Sequence, residues 1–462
     1  MVRTAAFQAV NGGSIPPGTT MLLASQPFDM ILQNWWYTTL LNTKVGFCNP
    51  LKEHLECDVL VIGGGMAGLH AALRLTKSGR SVVLLERNIC GGSSTGKSAG
   101  FLTPDSELEL SQLERRYGLE GAREMWSIPS QGVDLIVQAI REHKFDCDFQ
   151  EQDSLFLGIG RMGRNTVHEE AEAREQLKFP YTLYDDPKEL KEVNTGHGYT
   201  SGVRYNGTYG INPLLYCQEL KGALVKMGVK VFESTEVTEI HEHTAKTHLG
   251  SIKAKDIIVC LDKMKRNFSE VSDYTYHAQT FMAVSEPLED HDIRSLFPKS
   301  NVMCWDSKLV YSYYRLTGDK RLLLGGGSPL TTFWPSDVTG PRVIEGVIKE
   351  FRERFPSFKH IEFIQYWPGR IDTTKDLVPI VDYDERSHHI QYVIGCVGLP
   401  WAAFCGDFAA RRLVEPEYGK NYAHYMSKKR KFFVSSFFQR LFGKMISFAM
   451  NNAYSKYLQR DR

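Results

Sequence analysis

The short run Cys57-Asp58-Val59-Leu60-Val61-Ile62 leads without a spacer into Gly63-Gly64-Gly65-Met66-Ala67-Gly68. An apolar strand ending in this glycine spacing predicts a strand–turn–helix unit built to hold a dinucleotide. Gly63 permits the tight turn, Gly65 lets the backbone approach a pyrophosphate, and Gly68 lets the helix lie close on the strand. Met66 and Ala67 open the helix, whose first N–H groups lack partners within it and so suit phosphate. Ala71 and Ala72 keep that helix near the sheet, Gly79 ends it, and Ser81–Leu85 predicts a second strand. Glu86 stands at the end of that strand, 18 residues after Gly68. A carboxylate there accepts hydrogen bonds from both ribose hydroxyls and repels a 2′-phosphate. Arg87, next in the chain, is assigned to the same site.

A second G-x-G-x-x-G, Gly158-Ile159-Gly160-Arg161-Met162-Gly163, lacks this context. Arg164, Asn165 and Thr166 follow its third glycine where a phosphate-binding helix needs small apolar residues. His168-Glu169-Glu170-Ala171-Glu172 then adds anions that oppose a pyrophosphate, and Pro180 interrupts the place of a second strand. A strand followed by an exposed helix, outside the nucleotide domain, is the expectation.

Soon after Glu86 comes Gly91-Gly92-Ser93-Ser94-Thr95-Gly96-Lys97-Ser98-Ala99-Gly100. Such small and hydroxyl residues suit a loop whose backbone lies along a cofactor longer than one nucleotide half requires. NAD dehydrogenases need no such block, so the pair of motifs points to FAD. Thr95, Lys97, Ser98 and Ala99 are candidate contacts, with Lys97 a cation for phosphate or flavin.

The rest of the chain bounds the fold. Its 462 residues suffice for two domains and a large core. Apolar runs at 58–62, 81–85 and 256–260 alternate with amphipathic stretches at 67–78 and 212–227, as in a parallel sheet covered by helices. Alternating patterns such as Gln279–Val284 suit an antiparallel sheet instead. The predicted class is α/β: a discontinuous Rossmann-type FAD-binding domain with a parallel sheet, plus an α+β substrate domain with a mainly antiparallel sheet. The expected division is an N-terminal arm 1–50; an FAD domain from 51–130, 200–265 and 366–424; a substrate domain from 131–199 and 266–365; and a C-terminal tail 425–462. Residues 1–25 are rich in Gly, Pro and Ser and read as loosely ordered, whereas Asn34-Trp35-Trp36-Tyr37-Thr38 is aromatic enough to pack on the body.

Net charge is +1, so the average gives no reason to expect nucleic acid. Nine scattered cysteines without a CxxC pair predict reduced thiols rather than disulfides or a metal site. With no signal-like start and no long apolar run, a cytoplasmic location is expected.

Further segments carry a family likeness: Ser93–Gly100, Gly202-Val203-Arg204-Tyr205, Gly210-Ile211-Asn212-Pro213, Glu233–Val237, Tyr313-Tyr314-Arg315, Arg321–Gly326, Trp367-Pro368-Gly369-Arg370, Thr374–Pro379 and Gly395-Cys396-Val397-Gly398-Leu399-Pro400-Trp401. Together they resemble, in pieces over roughly residues 30–420, the D-amino-acid oxidase-like superfamily of FAD oxidoreductases. Amine and glycine/sarcosine-type oxidases, gamma-glutamylputrescine oxidase among them, are the nearest in look. The resemblance implies that Val237 lies at the adenine and Arg370 in a flavin-facing loop. It also implies that Gly398, Leu399 and Pro400 open a helix aimed at the flavin C2 carbonyl, where a helix N-terminus stabilises negative charge. The last turn lacks the family's His-Gly pair, which leaves the substrate side of the pocket altered. Sarcosine-oxidase relatives tether flavin through a Cys near the position of Gly369, so FAD is expected to be non-covalent. Their oxygen-activating lysine aligns with Leu323, which weakens the case for oxygen as acceptor.

The implied chemistry is oxidation of a C–N bond in a small amine or amino acid, by hydride transfer to flavin N5. Arg315, among Tyr311, Tyr313 and Tyr314, is a candidate for a substrate carboxylate, with a structural salt bridge as the other reading. His277 is a candidate proton acceptor, or else a satisfied strand histidine. No metal ligand set is expected. Two further readings stay open: a flavin dehydrogenase serving a membrane quinone or protein acceptor, and a catalytically silent flavin-binding protein.

The tail is charged differently from the body: residues 425–462 carry +8, leaving −7 elsewhere. Lys428-Lys429-Arg430-Lys431 precedes Phe432-Phe433, Phe437-Phe438, Leu441-Phe442, Met445-Ile446 and Phe448, with Arg440 and Lys444 among them. Such a basic amphipathic stretch suits either peripheral contact with an anionic membrane or packing on an acidic body.

Overall fold

A computed structural model of the chain describes residues 30–454 apart from 106, 263–273, 329–330, 333, 335 and 433. The Gly/Pro/Ser-rich start and the tail charges Lys456, Arg460, Asp461 and Arg462 lie outside the described residues.

The strand predicted at 57–62 is His54–Ile62, and its apolar end is buried at the centre of an eight-stranded sheet. Lys230–Phe232, Val82–Leu85, His54–Ile62, Ser251–Val259 and Ile390–Ile394 pair in parallel, in that order. Their side chains are apolar on both faces, because one face packs on helices and the other is covered by the strands Val237–His241, Thr244–Thr247 and Ile380–Tyr383. Met66–Lys77 and Leu399–Val414 pack on each other on one side, where a Cβ at Gly406 would meet the Ala67 carbonyl oxygen at 1.9 Å. Antiparallel additions complete the sheet: Val237–His241 and Thr244–Thr247 on Ser251–Val259, and Ile380–Tyr383 on Ile390–Ile394.

The second layer is a nine-stranded, mainly antiparallel sheet. Its order is Ile31–Leu32, Phe363–Thr374, Thr275–Pro287, Arg321–Gly326, Tyr313–Leu316, Val302–Asp306, Asp153–Ile159, Tyr199–Tyr205 and Thr182–Tyr184. Among the described residues, only Ile31–Leu32 on Phe363–Thr374 and Val302–Asp306 on Asp153–Ile159 pair in parallel in this sheet. The helix Arg342–Arg354 buries Ile344, Val347, Ile348 and Phe351 against it.

Tyr199–Tyr205 and Phe363–Thr374, which cross the expected boundaries at 200 and 366, both run in the antiparallel sheet. The division at 130 falls inside a helical segment, Leu110–His143, kinked at Gly118. Each strand's sheet depends on long-range pairing that local pattern does not encode.

The second glycine repeat forms the end of Asp153–Ile159 and the start of the helix Gly160–Leu177, in the antiparallel sheet. Its helix is half-buried rather than exposed, with Gly163, Val167, Glu170 and Arg174 facing inward. The tail also packs. Arg430 donates to Asp376, Val378 and Pro379, Tyr276 stacks on Phe448 at 5.3 Å, and Lys444 Nζ lies 3.4 Å from the Thr275 carbonyl.

Candidate functional site

The predicted glycine turn is built as the sequence implies. Gly63 has φ +106°, and a Cβ on Gly68 would stand 1.8 Å from the Gly63 carbonyl oxygen, so helix and turn touch through bare backbone. Gly65 caps the helix without a side chain, leaving the first-turn N–H groups to a ligand apart from Met66 N, which Thr95 Oγ1 accepts at 3.2 Å. Glu86 accepts from Gly64 N and Asn88 N, each at 2.8 Å. An ionised carboxylate has about four acceptor positions, so two stay open for hydroxyl donors. Burial pushes the Glu86 carboxyl upward, against those N–H bonds and Arg87.

These residues line a cleft of about 450 Å³ at the carboxyl ends of the parallel strands. Gly63, Gly65, Met66, Ala67, Glu86, Arg87, Thr95 and Val237 all border it. So do residues with no assigned part: Ser94, Thr235, Cys260, Leu261, Asp262, Ile371, Gly395 and Cys396. The rule that ligands lie beyond the carboxyl ends of parallel strands points to two of these groups, since Cys260–Asp262 follows one such strand and Gly395–Cys396 another.

A second cavity of about 420 Å³ continues from the first, sharing Ser94 and Ile371. Lys97, Ser98, Ala99 and the turn Gly398–Pro400 line it. Gly398 has φ +93° and begins the helix Leu399–Val414 without a side-chain cap. The loop 93–100 is held from behind: Trp36 Nε1 donates to Ser98 O at 2.9 Å, Trp367 Nε1 to Lys97 O at 3.0 Å, and Asn34 Nδ2 to Gly96 O at 2.6 Å. The aromatic segment near residue 35 is therefore a clamp on this loop. Cavity walls beyond it are acidic and aromatic: Asp105, Glu107, Glu109, Phe101, Phe156, Trp305, Tyr311 and Tyr313.

FAD fits this donor set. A side-chain-free helix start lies between a ribose-type carboxylate and a loop with two helix or loop backbones facing the next cavity. Gly65, Met66 and Ala67 would hold the diphosphate, Glu86 the ribose, Thr235–Val237 the adenine end, and Lys97–Ala99 with Gly398–Pro400 the flavin.

The catalytic expectations fare differently. Arg315 is fully buried and lines neither cavity: Nε donates to Ala99 O at 2.7 Å, Nη1 to Leu316 O at 3.0 Å and Nη2 to Ile211 O at 2.5 Å. Burial pulls its guanidinium down to about 10, with Asp148 and Asp319 opposing. In this arrangement it braces backbone. Tyr314 also turns away: its hydroxyl accepts from Asn194 Nδ2 at 2.8 Å, and its ring packs on Phe297, Phe351 and Phe355. A strand puts neighbours on opposite faces, so Tyr313 borders the cavity while Tyr314 joins the core. His277 Nδ1 meets Asp372 Oδ1 at 2.6 Å, and only Asp372 of that pair borders the cofactor cleft. The Arg370 side chain reaches Asp337 and the Trp334 carbonyl, both at 2.9 Å, rather than lining either cavity; its own carbonyl accepts from Ser94 Oγ at 2.8 Å.

Comparison with known proteins agrees with this geometry. Gamma-glutamylputrescine oxidoreductase of Escherichia coli (strain K12) is 28% identical over 388 residues, covering 82% of this chain and 88% of that protein. Glycine oxidase of Bacillus subtilis (strain 168) is 22% identical over 82% of this chain and 99% of its own. Among solved structures, L-proline dehydrogenase from P. horikoshii shares the fold with TM-score 0.67 and 17% identity, over 81% of this chain and 97% of the other. The model of the DAO family, described as FAD dependent oxidoreductase, matches residues 58–412. With the dinucleotide turn, the second loop and most of both sheets inside that span, this chain belongs to the DAO family of FAD-dependent oxidoreductases.

Proposed function

We propose that this enzyme oxidises the C–N bond of a small amine or amino acid, with non-covalently held FAD. The carrying observation is the junction of the two cavities at Ser94 and Ile371, which gives one compartment for the cofactor and an adjoining one for the reductant. When bound, FAD supplies the electron sink that takes a hydride at N5 from the carbon beside nitrogen. The chain's own part is placement and polarity. Lys97–Ala99 and Gly398–Pro400 set the ring position, the helix start after Gly398 favours negative charge there, and the aromatic walls exclude water. Relatives named for amines and for glycine support this class of substrate.

The electron acceptor is a separate question. Leu323 is fully buried in an apolar cluster with Trp36, Met282, Val284 and Trp367, which offers no cation to activate oxygen and favours a dehydrogenase. Phe437, Leu441 and Ile446 on the C-terminal helix are 70%, 66% and 51% exposed, near exposed Arg440. That surface favours peripheral docking on an anionic membrane, from which a quinone would accept electrons. Among the described residues no helix is long and apolar enough to cross a membrane. Anaerobic mixing of the yellow holoprotein with an amine and amino-acid series tests the main proposal. Bleaching is expected, and its absence with every compound returns the reading to a silent flavin-binding protein. Reoxidation by air against a soluble quinone, with liposome flotation of the full chain, tests the acceptor.

A further inference from the structure

The cavity beyond the flavin loop has an uneven charge distribution. Two of its cations are already engaged with acids: Arg115 Nη1 lies 2.6 Å from Glu169, and Lys308 pairs with Glu350. Lys97 stands in the flavin loop. The lining also carries Asp105, Glu107 and Glu109. Asp105 accepts from the Thr103 and Tyr205 hydroxyls, and Tyr311 donates to Glu107 at 3.1 Å. Glu109 Oε1 accepts from Trp305 Nε1 at 2.9 Å, and the residue caps the helix Leu110–His143 in a capping box with Gln112.

Aromatic rings frame the same space. Phe101 lies 6.5 Å from Trp305 and 6.0 Å from Tyr313, and Tyr311 lies 5.7 Å from Tyr313, centroid to centroid. Ring faces beside carboxylates attract ammonium groups and repel carboxylates. The buried guanidinium that a carboxylate would need, Arg315, is already committed to three carbonyl oxygens.

From this we infer that the substrate carries a second, cationic group, an ammonium remote from the oxidised carbon, which docks between Glu109 and the Trp305–Tyr311–Tyr313 wall. This rests on the amine-oxidising reading and narrows it: amines with a positively charged far end are selected over those ending in a carboxylate or an alkyl group. Burial, with Asp105 and Glu170 nearby, pushes the Glu109 carboxyl well above its ordinary range, while Trp305 and Arg174 oppose.

The test is anaerobic calorimetric titration of dithionite-reduced holoprotein, which cannot take a hydride, with 1,5-diaminopentane, pentylamine and 5-aminopentanoate, followed by anaerobic flavin bleaching of the oxidised form with each. The diamine should bind at least about tenfold more tightly than either other probe, the scale of one charge-assisted contact. Glu109→Gln should remove most of that preference while leaving pentylamine binding little changed, and Trp305→Phe should weaken the diamine in part. Equal binding of all three, tighter binding of 5-aminopentanoate, or a preference untouched by Glu109→Gln and by Trp305→Phe would overturn the inference. Because binding is read without turnover, a charge preference without bleaching would count against the oxidation proposal alone. Bleaching by amines without a charge preference would count against this inference alone.

Discussion

Arg315 Nε donates to the carbonyl of Ala99 at 2.7 Å, tying the central strand of the antiparallel sheet to the end of the flavin loop. The same guanidinium reaches Ile211 O, so one side chain joins three segments far apart in sequence. Gly100 and Gly210 lie so close to it that a Cβ on either would meet Arg315 nitrogens within 2.9 Å.

Replacing Arg315 should therefore loosen the cofactor site rather than alter substrate choice. Arg315→Lys keeps charge but cannot serve three carbonyl oxygens in one plane. An expected loss of about 2–4 kcal/mol in unfolding free energy would accompany weaker FAD retention, with the ranking of substrates unchanged. Thermal melting and flavin dissociation measurements check this. A variant with normal FAD affinity but a lost preference among substrates would restore the carboxylate-binding role.

Trp36 offers a second handle on the same loop. It is buried, donates to Ser98 O, and meets Trp367 edge-on at 6.4 Å. Trp36→Ala removes a packed ring and a hydrogen bond, at a cost of about 3–5 kcal/mol. FAD should dissociate more readily from this variant, and Trp36→Phe should lie between it and the wild type. Dialysis followed by absorbance of retained flavin reads the effect.

How much of this was legible beforehand follows contact range. Strand 54–62, the turn and Glu86 form one contiguous unit, so spacing alone located their parts. Arg315 was noticed for its type and aromatic neighbours, but its partners Ala99 and Ile211 lie more than 100 residues upstream. No local pattern could tell a bracing arginine from a substrate-binding one. Tyr313 and Tyr314 are neighbours in sequence, and strand alternation sends their side chains to opposite sides. Glu109 and Trp305 carry no local signal, because their meeting depends on the helix after residue 109 lying against the strand Val302–Asp306.

The tail predicts a pH response. Asp376 is buried between Arg116 Nη2, at 2.6 Å, and Arg430 Nη2, at 2.7 Å, which hold its carboxyl well below the ordinary range despite burial. A depressed folded-state value stabilises the protein above the unfolded value of about 3.9 and is lost as pH falls below it. Acid should thus release the C-terminal segment, and Asp376→Asn should cost about 3–5 kcal/mol at neutral pH by stranding two buried arginines. Melting curves between pH 3 and about 7 test this; identical acid profiles for variant and wild type would contradict it.

Gly68→Ala puts a methyl group 1.8 Å from the Gly63 carbonyl oxygen, so the helix must move off the turn. The expected product is folded less stably and binds little FAD, whereas Gly222→Ala, with open space around its Cβ, should resemble the wild type. Flavin absorbance per protein chain separates the two.

The account depends most on the grip of the helix start and Glu86 on a dinucleotide. Its most direct test is flavin content: denature the purified protein, identify the released cofactor by mass, and titrate the apoprotein with FAD, alongside Glu86→Ala. One FAD per chain, with binding weakened at least about tenfold by Glu86→Ala, is the predicted result. A colourless protein that takes up no FAD on titration, or an affinity indifferent to Glu86, would contradict it.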